Sequence, residues 1–361
     1  MSLRFATAQC WSWLQAGLGR LSGLPLARPS RFTLVLTDRC NLQCMFCSMW
    51  NRRWENMSTD LWKRILDELV DWVGPMHVVF TGGEPLVRDD LPELVRHASS
   101  RGACCEINSN GISLDERAAG ALVQSGLRVA NVSVLGLTSE TSERLYGRRD
   151  VPERVRRALL SLKAAGGHGL RIQMLTTLLA QNLHEVGGIL DLAEELNLEG
   201  VQFQPIYQHF GDNHEGVAWF QGNPLWPRVS DATVCLDLII ERKKRGGRVV
   251  NPLEQLELFR GYLADPTHCR KPCVAADASL VLECDGSVYA CVFKPAGPLG
   301  NVQQMALRKL WTQPAARRIR DGIRGCRAGC AVMNMNYRTS LSVKLGKYMR
   351  IYHGANSRTR G

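Results

Sequence analysis

Residues 40–47 read CNLQCMFC, three thiols within eight positions and no histidine among them. Thiols at this spacing are reactive, structural or metal-binding. Structural zinc closes with four ligands, usually as paired short-spaced motifs, and each cluster of the ferredoxin runs is also held by four cysteines. Three ligands leave one metal position open. A small molecule can bind there, and a cofactor then carries the difficult chemistry.

A second group of cysteines lies near the far end, at 269/273, 284/291 and 326/330. Cys273, Cys291, Cys326 and Cys330 supply four ligands, enough to close a cluster that serves as an electron carrier or a structural staple. Cys269 and Cys284 are alternatives within that set, and zinc is the alternative metal. Thirteen cysteines clustered in a chain of 361 residues point to metal, because a disulfide scaffold is normally a much shorter secreted chain. Adjacent Cys104 and Cys105 face opposite sides of a strand, so they read as packing residues; Cys10 and Cys235 have no neighbours in sequence. Segment 207–230, YQHFGDNHEGVAWFQGNPLWPRVS, gathers Tyr207, His209, Asp212, His214 and Glu215 in a long glycine- and proline-containing loop. His209 and Asp212 are its candidates for acid or base; the plainer reading is a solvated loop.

The elements that must hold these residues alternate. Apolar strand-like runs fall at 32–37, 76–81, 103–108, 129–136, 170–178 and 200–206. Helical spacing fills 59–73, with Ser58-Thr59-Asp60 at its start, and 90–101, 114–125, 151–165 and 182–197. Six strand-helix units predict an α/β fold with a parallel sheet, an open or partial barrel with ligands at the carboxyl ends of its strands. CNLQCMFC follows the first of those strands. After a helix near 232–245 the pattern changes: Leu280–Glu283 and Val288–Cys291 predict a hairpin turned at Asp285-Gly286, with a helix across 304–320. The expected divisions are an N-terminal extension at 1–30, the barrel at 31–250, a small hairpin-and-helix domain at 251–335 and a basic tail at 336–361.

CxxxCxxC after the first strand, Gly82-Gly83-Glu84-Pro85 after the second and Asn108-Ser109-Asn110-Gly111 after the third together resemble the radical S-adenosylmethionine superfamily. The resemblance implies a partial (β/α)6 barrel holding a 4Fe-4S cluster on Cys40, Cys44 and Cys47, with S-adenosylmethionine on the fourth iron. It also implies reductive cleavage to a 5′-deoxyadenosyl radical, fed by a flavodoxin- or ferredoxin-type reductant. Phe46 would lie near the adenine. Gly82 and Gly83 would let the backbone approach the ligand, and Glu84, followed by Pro85, would suit its ammonium group. Asn108, Asn110 and Ser133 are the implied ribose or carboxylate contacts, with Gln173 and Thr176 as further candidates. The acid that relatives often carry after the fourth strand is absent from Val132-Ser133-Val134-Leu135-Gly136, and Arg144 or Arg148 would hold the cofactor's carboxylate. Residues 273–291, CVAADASLVLECDGSVYAC, with Cys326 and Cys330, resemble the shortened twitch form of the SPASM domain. That implies a second, auxiliary 4Fe-4S cluster and an oxidoreductase acting on a peptide or a small natural-product molecule.

The composition, 45% hydrophobic and 22% charged, is that of a globular protein and excludes a disordered or fibrous chain. The net charge of +11 comes partly from residues 241–245 and from Arg317, Arg318, Arg320, Arg324 and Arg327, which read as solvated helix faces. The competing reading is a non-catalytic zinc-binding protein whose basic surface takes nucleic acid; no zinc-finger spacing or aromatic-interleaved basic motif accompanies the charge. Thr7, Gln9, Ser12 and Gln15 make the N-terminus too polar for a signal segment, and no run of eighteen apolar residues predicts a membrane span. The expected location is the cytoplasm. Trp11, Trp13, Leu14 and Leu18, with Lys344, Lys347 and Arg350 in the tail, leave peripheral membrane contact as a further reading.

Overall fold

In the computed structural model the described residues are 28–166, 169–207, 219–268, 273, 275–326 and 329–337. Six parallel strands come first: β1 (Arg31–Val35), β2 (His77–Thr81), β3 (Cys104–Ser109), β4 (Leu127–Ser133), β5 (Arg171–Leu178) and β6 (Gly200–Pro205). Helices fill the crossovers: α1 (Thr59–Val73), α2 (Leu91–Ser100), α3 (Glu116–Gln124), α4 (Ser139–Tyr146), α5 (Val151–Gly166) and α6 (Val186–Glu195). The amphipathic pattern explains them. In α1 the buried side chains Trp62, Ile65, Leu66, Leu69 and Trp72 form one stripe, Ser58 accepts the Leu61 N–H at its start, and Gly74 at φ +77° ends it.

Register sorts the strand residues onto two faces. Phe32, Leu34, Val78, Phe80, Cys105, Ile107, Ala130, Val132, Met174, Val201 and Phe203 are buried on one. The other carries Glu106 and Asn108 on β3, with Asn131 beside Asn108 and Gln173 beside Asn131, then Gln202 and Gln204 on β6. Parallel sheets are ordinarily apolar on both faces, so a polar face reserves that side for something other than packing. Cys104 and Cys105 do lie on opposite faces, half-buried and buried respectively.

Beyond β6 come α7 (Val229–Lys244), α8 (Leu253–Ala264) and the single turn α9 (Ala275–Ala278). They lead to β7 (Ser279–Leu282), β8 (Ser287–Tyr289), β9 (Gly300–Asn301), α10 (Leu307–Thr312) and α11 (Pro314–Arg324). The last two replace the single helix expected over 304–320, because Pro314 cannot continue the hydrogen bonding of α10 and starts a new helix instead. The hairpin of β7 and β8 turns through Gly286 at φ +84°. It does not stand apart from the barrel. β7 pairs in parallel with β1, Thr33 beside Val281, so the sheet runs on in the order β6-β5-β4-β3-β2-β1-β7-β8-β9. On its far side Trp311 meets Trp72 of α1 edge-on at 6.2 Å between centroids, with the Arg320 guanidinium 4.1 Å above Trp311.

The sixth strand is finished by side chains. Asn251 accepts from the Phe203 N–H at 2.7 Å and donates to the Phe203 carbonyl at 3.0 Å, where Asn334 also donates at 3.0 Å. Arg31 of β1 donates to the carbonyls of Met335 and Tyr337. Residues 334–337 therefore tie β6 to β1 across the side where the six parallel strands do not pair.

Candidate functional site

β1 delivers the chain through Thr37 and the buried Asp38 to Cys40. Asp38 was not singled out from the sequence; its carboxylate accepts from the Trp54 N–H at 2.7 Å and from Asn56 at 3.3 Å, which folds the far end of the cysteine loop back on its start. Residues 82–84 lie along this loop, with Gly83 N–H to the Thr37 carbonyl and Glu84 N–H to the Arg39 carbonyl, each at 2.8 Å. A Cβ on Gly82 would sit 2.4 Å from the Thr37 carbonyl oxygen, and one on Gly83 2.3 Å from that of Arg39. The two glycines thus admit a neighbouring backbone. Glu84 is engaged within the protein. Fully buried, it accepts from Ser109 Oγ at 2.8 Å, Asn110 N–H at 2.7 Å and Leu86 N–H at 3.0 Å, and so ties the end of β2 to the end of β3. Burial pushes its pKa up to about 7 against the pull of those three donors.

Cys40, Cys44 and Cys47 come together at this end of the sheet, each sensing another's charge. Burial, opposed by the Leu42 N–H, pushes the Cys40 thiol up to about 11 and pushes Cys44 further in the same direction. Asn110 Nδ2 lies 3.8 Å from the Cys40 sulfur and 2.7 Å from Asn41 Oδ1. The loop is pinned to α4 by the Met45 N–H on the Leu145 carbonyl at 3.0 Å. The neighbouring Tyr146 is buried beside Cys44, and its hydroxyl accepts from the Leu135 N–H at 3.1 Å. Phe46 is half-buried against the core, and buried Pro85 opens a single 3-10 turn. Asn108 accepts from Asn131, which also donates to Glu106, and half-buried Ser133 stands beside Leu175. Thr176 donates to the Val134 carbonyl, a bond within the sheet. Arg144 is exposed on α4, and Arg148 is engaged bidentately by Asp150. Neither is brought to the thiols by any contact among the described residues.

Four more thiols converge in the C-terminal part. Cys330 senses Cys291, Cys273 and Cys326, and Cys291 senses Cys273 and Cys326. Amide donors stand near them: Ala275 N–H stands 3.4 Å from the Cys273 sulfur, the Phe293 N–H points at Cys291, and the Lys294 N–H donates to the Cys291 carbonyl at 3.1 Å. Cys284 is apart from this group, buried near Asp38 and Glu283. Between the two thiol sites, Tyr207 lies beside Cys47 and meets Phe293 edge-on at 5.1 Å. Lys294 is ion-paired with Glu283 and stands 4.7 Å from the Tyr289 ring centroid and 5.4 Å from that of Trp54. Lys294 and Glu283 had no signature in the sequence. His209, Asp212, His214, Glu215, Cys10, Cys269 and the residues proposed for membrane contact lie outside the described residues.

Among the described residues no three His, Cys, Asp or Glu side chains are arranged around a single metal ion. The thiols are nonetheless near enough to couple electrostatically, with soft donors and amide N–H groups directed at sulfur, and this donor set fits iron-sulfur clusters. The basic runs that suggested nucleic acid are largely engaged within the protein: Arg242 pairs with Asp191 and Glu194, Arg245 with Glu241, and Arg324 with Asp277. No helix among the described residues is long and apolar enough to cross a membrane.

Comparison with known proteins agrees with this geometry. Residues 34–193 match the radical SAM superfamily model, and residues 273–331 match the SPASM iron-sulfur cluster-binding domain. The PqqA peptide cyclase of Bradyrhizobium diazoefficiens is 30% identical over 228 residues, 62% of this chain and 56% of that protein. The alignment thus spans little more than half of that relative's length. The Fe-coproporphyrin III synthase of Methanosarcina barkeri is 27% identical over 302 residues, 77% of this chain and 72% of that one. Streptococcus suis SuiB bound to S-adenosylmethionine shares the fold, with a TM-score of 0.66 at 16% identity over 90% of this chain and 80% of SuiB. Matching models at both ends of the chain, each placed on one of its two thiol groups, show that the chain belongs to the radical SAM superfamily and carries a SPASM iron-sulfur domain.

Proposed function

We propose that this protein is a radical S-adenosylmethionine enzyme that modifies a peptide. Three gathered thiols at the barrel and four at the hairpin domain carry the reading, because the difference in number separates an open cluster from a closed one. Cys40, Cys44 and Cys47 would hold the first 4Fe-4S cluster, and Cys273, Cys291, Cys326 and Cys330 the second. When bound, these groups and S-adenosylmethionine supply reductive cleavage to a 5′-deoxyadenosyl radical that takes hydrogen from the substrate, and an acceptor for the electron left behind.

The chain's own residues do the rest. Asp38, Gly82, Gly83 and Glu84 fix the loop that presents the three thiols, and Asn110 directs an amide at the Cys40 sulfur. Tyr207 and Phe293 place two rings edge-on between the sites. The amides of Asn108, Asn131, Gln173, Gln202 and Gln204 line the polar face of the sheet and suit a chain of peptide groups, each of which donates and accepts. Peptides are named for PqqA peptide cyclase and for SuiB bound to its precursor peptide SuiA, and this class is preferred over the tetrapyrrole chemistry named for the other relative. The described cysteines are all free, which suits a reducing cytoplasm and a flavodoxin- or ferredoxin-type electron donor.

Anaerobic reconstitution should give about eight irons per chain, falling to about four when Cys40, Cys44 and Cys47 are all changed to alanine. With dithionite and S-adenosylmethionine the wild type should release 5′-deoxyadenosine, and the triple variant should not. Intact clusters without that product, or zinc in place of iron, would sink the proposal. Turnover of a tetrapyrrole faster than that of precursor peptides would move the substrate to the tetrapyrrole class.

A further inference from the structure

A backbone N–H points at the sulfur of Cys273, but Cys330 meets a side chain. Asn336 Nδ2 lies 3.7 Å from its sulfur. Asn336 is 2% exposed, and its Oδ1 has no hydrogen-bond partner among the described residues. A buried amide left half-satisfied is costly, which calls for a reason that packing alone does not give. The residue lies beyond position 331, where the matched SPASM segment ends, so the domain signature assigns it nothing.

Its placement is built from the barrel. Arg31 on β1 grips the carbonyls of Met335 and Tyr337, the residues on either side. Asn334 is held against Phe203 of β6 and receives hydrogen bonds from Asn251 and Gln255. The Asn336 N–H donates to the Met333 carbonyl at 2.9 Å, closing a turn that leads back to Cys330. Two strands of the barrel therefore aim this amide at a thiol of the other site.

We propose that Asn336 is a positioning residue that sets the reduction potential of the second cluster by donating its N–H to the Cys330 sulfur. The inference rests on the reading of Cys273, Cys291, Cys326 and Cys330 as cluster ligands. A hydrogen bond to a ligand sulfur stabilises the reduced, more negative cluster more than the oxidised one, and so raises the potential.

The test uses the full chain with Cys40, Cys44 and Cys47 changed to alanine, so that the second cluster gives the only iron-sulfur signal. Iron content and an electron paramagnetic resonance redox titration are compared in three further variants. Asn336→Leu should keep its iron and shift to a more negative potential, lowering the reduced-to-oxidised ratio at fixed poise about three- to tenfold, the scale of one hydrogen bond. Asn336→Asp, which replaces the donor with an acceptor, should shift further in the same direction. Arg31→Met, which leaves the amide in place but frees its carbonyls, should shift less, with the same sign. Unchanged potentials at full iron overturn the inference while the cluster reading stands. Should Asn336→Leu and Asn336→Asp lose their iron, an unchanged potential in Arg31→Met overturns it equally. A parent variant that holds zinc, or no iron, overturns the cluster reading itself.

Discussion

At the scale of single residues, much of the site is made of atoms that no metal would touch. Gly82 is the sharpest case, with φ at +149° and a carbonyl oxygen where its Cβ would be. Gly82→Ala should cost about 2 kcal/mol or more in denaturant unfolding. It should also lower the iron retained at the first site, because the backbone it displaces is the one leading to Cys40. Wild-type stability and iron content in that variant would refute the close-approach account. The seven thiols, the glycine pair and Asn110 were legible as types at set spacings. The contacts of Gly82, Gly83 and Glu84 within the chain were not, since all three touch neighbouring segments whose approach depends on how the strands pair. Asp38, Tyr146 and Asn336 were missed for a related reason: their partners Trp54, Leu135 and Cys330 are fixed by tertiary packing, and no spacing announces them.

At the scale of elements, the strands and most helices followed from alternation and helical spacing, because each must bury one face. The helix α4 escaped because its sequence SETSERLY has apolar residues only at its end; Thr138 caps it by accepting the Thr141 N–H. Its start is also held from α6. Glu185, just ahead of that helix, accepts from the N–H groups of Leu137 and Thr138 and from the Thr138 hydroxyl. Burial alone would raise the Glu185 pKa, but these hydrogen bonds outweigh it and hold the carboxyl below its ordinary value of 4.5. The sign follows from that depression. The stabilisation is complete above the ordinary value and is lost as pH falls below it through the folded pKa. Glu185→Gln should lower the melting temperature at neutral pH, and the gap from wild type should narrow on acidification below 4.5. A gap that stays constant with pH would show that the charge of Glu185 contributes nothing.

At the scale of the whole molecule, the sheet runs on across the expected boundary near residue 250. β7 returns from the hairpin domain to pair with β1, the strand that also delivers Cys40. Neighbours in the sheet were not readable from the chain, because strand order depends on long-range pairing and the β7 sequence fits a detached hairpin equally well. A chain ending at residue 250 would leave β1 as an open edge, and such edges recruit other chains. That fragment should therefore associate or precipitate in size-exclusion chromatography; a stable monomer would show that β1 needs no cover. The tie between β6 and β1 has another consequence. A barrel closed by paired strands changes its girth only in whole strands, whereas here the last gap is spanned by the side chains of Arg31, Asn251 and Asn334. Substitutions at these three positions would loosen that tie and leave every strand pairing in place.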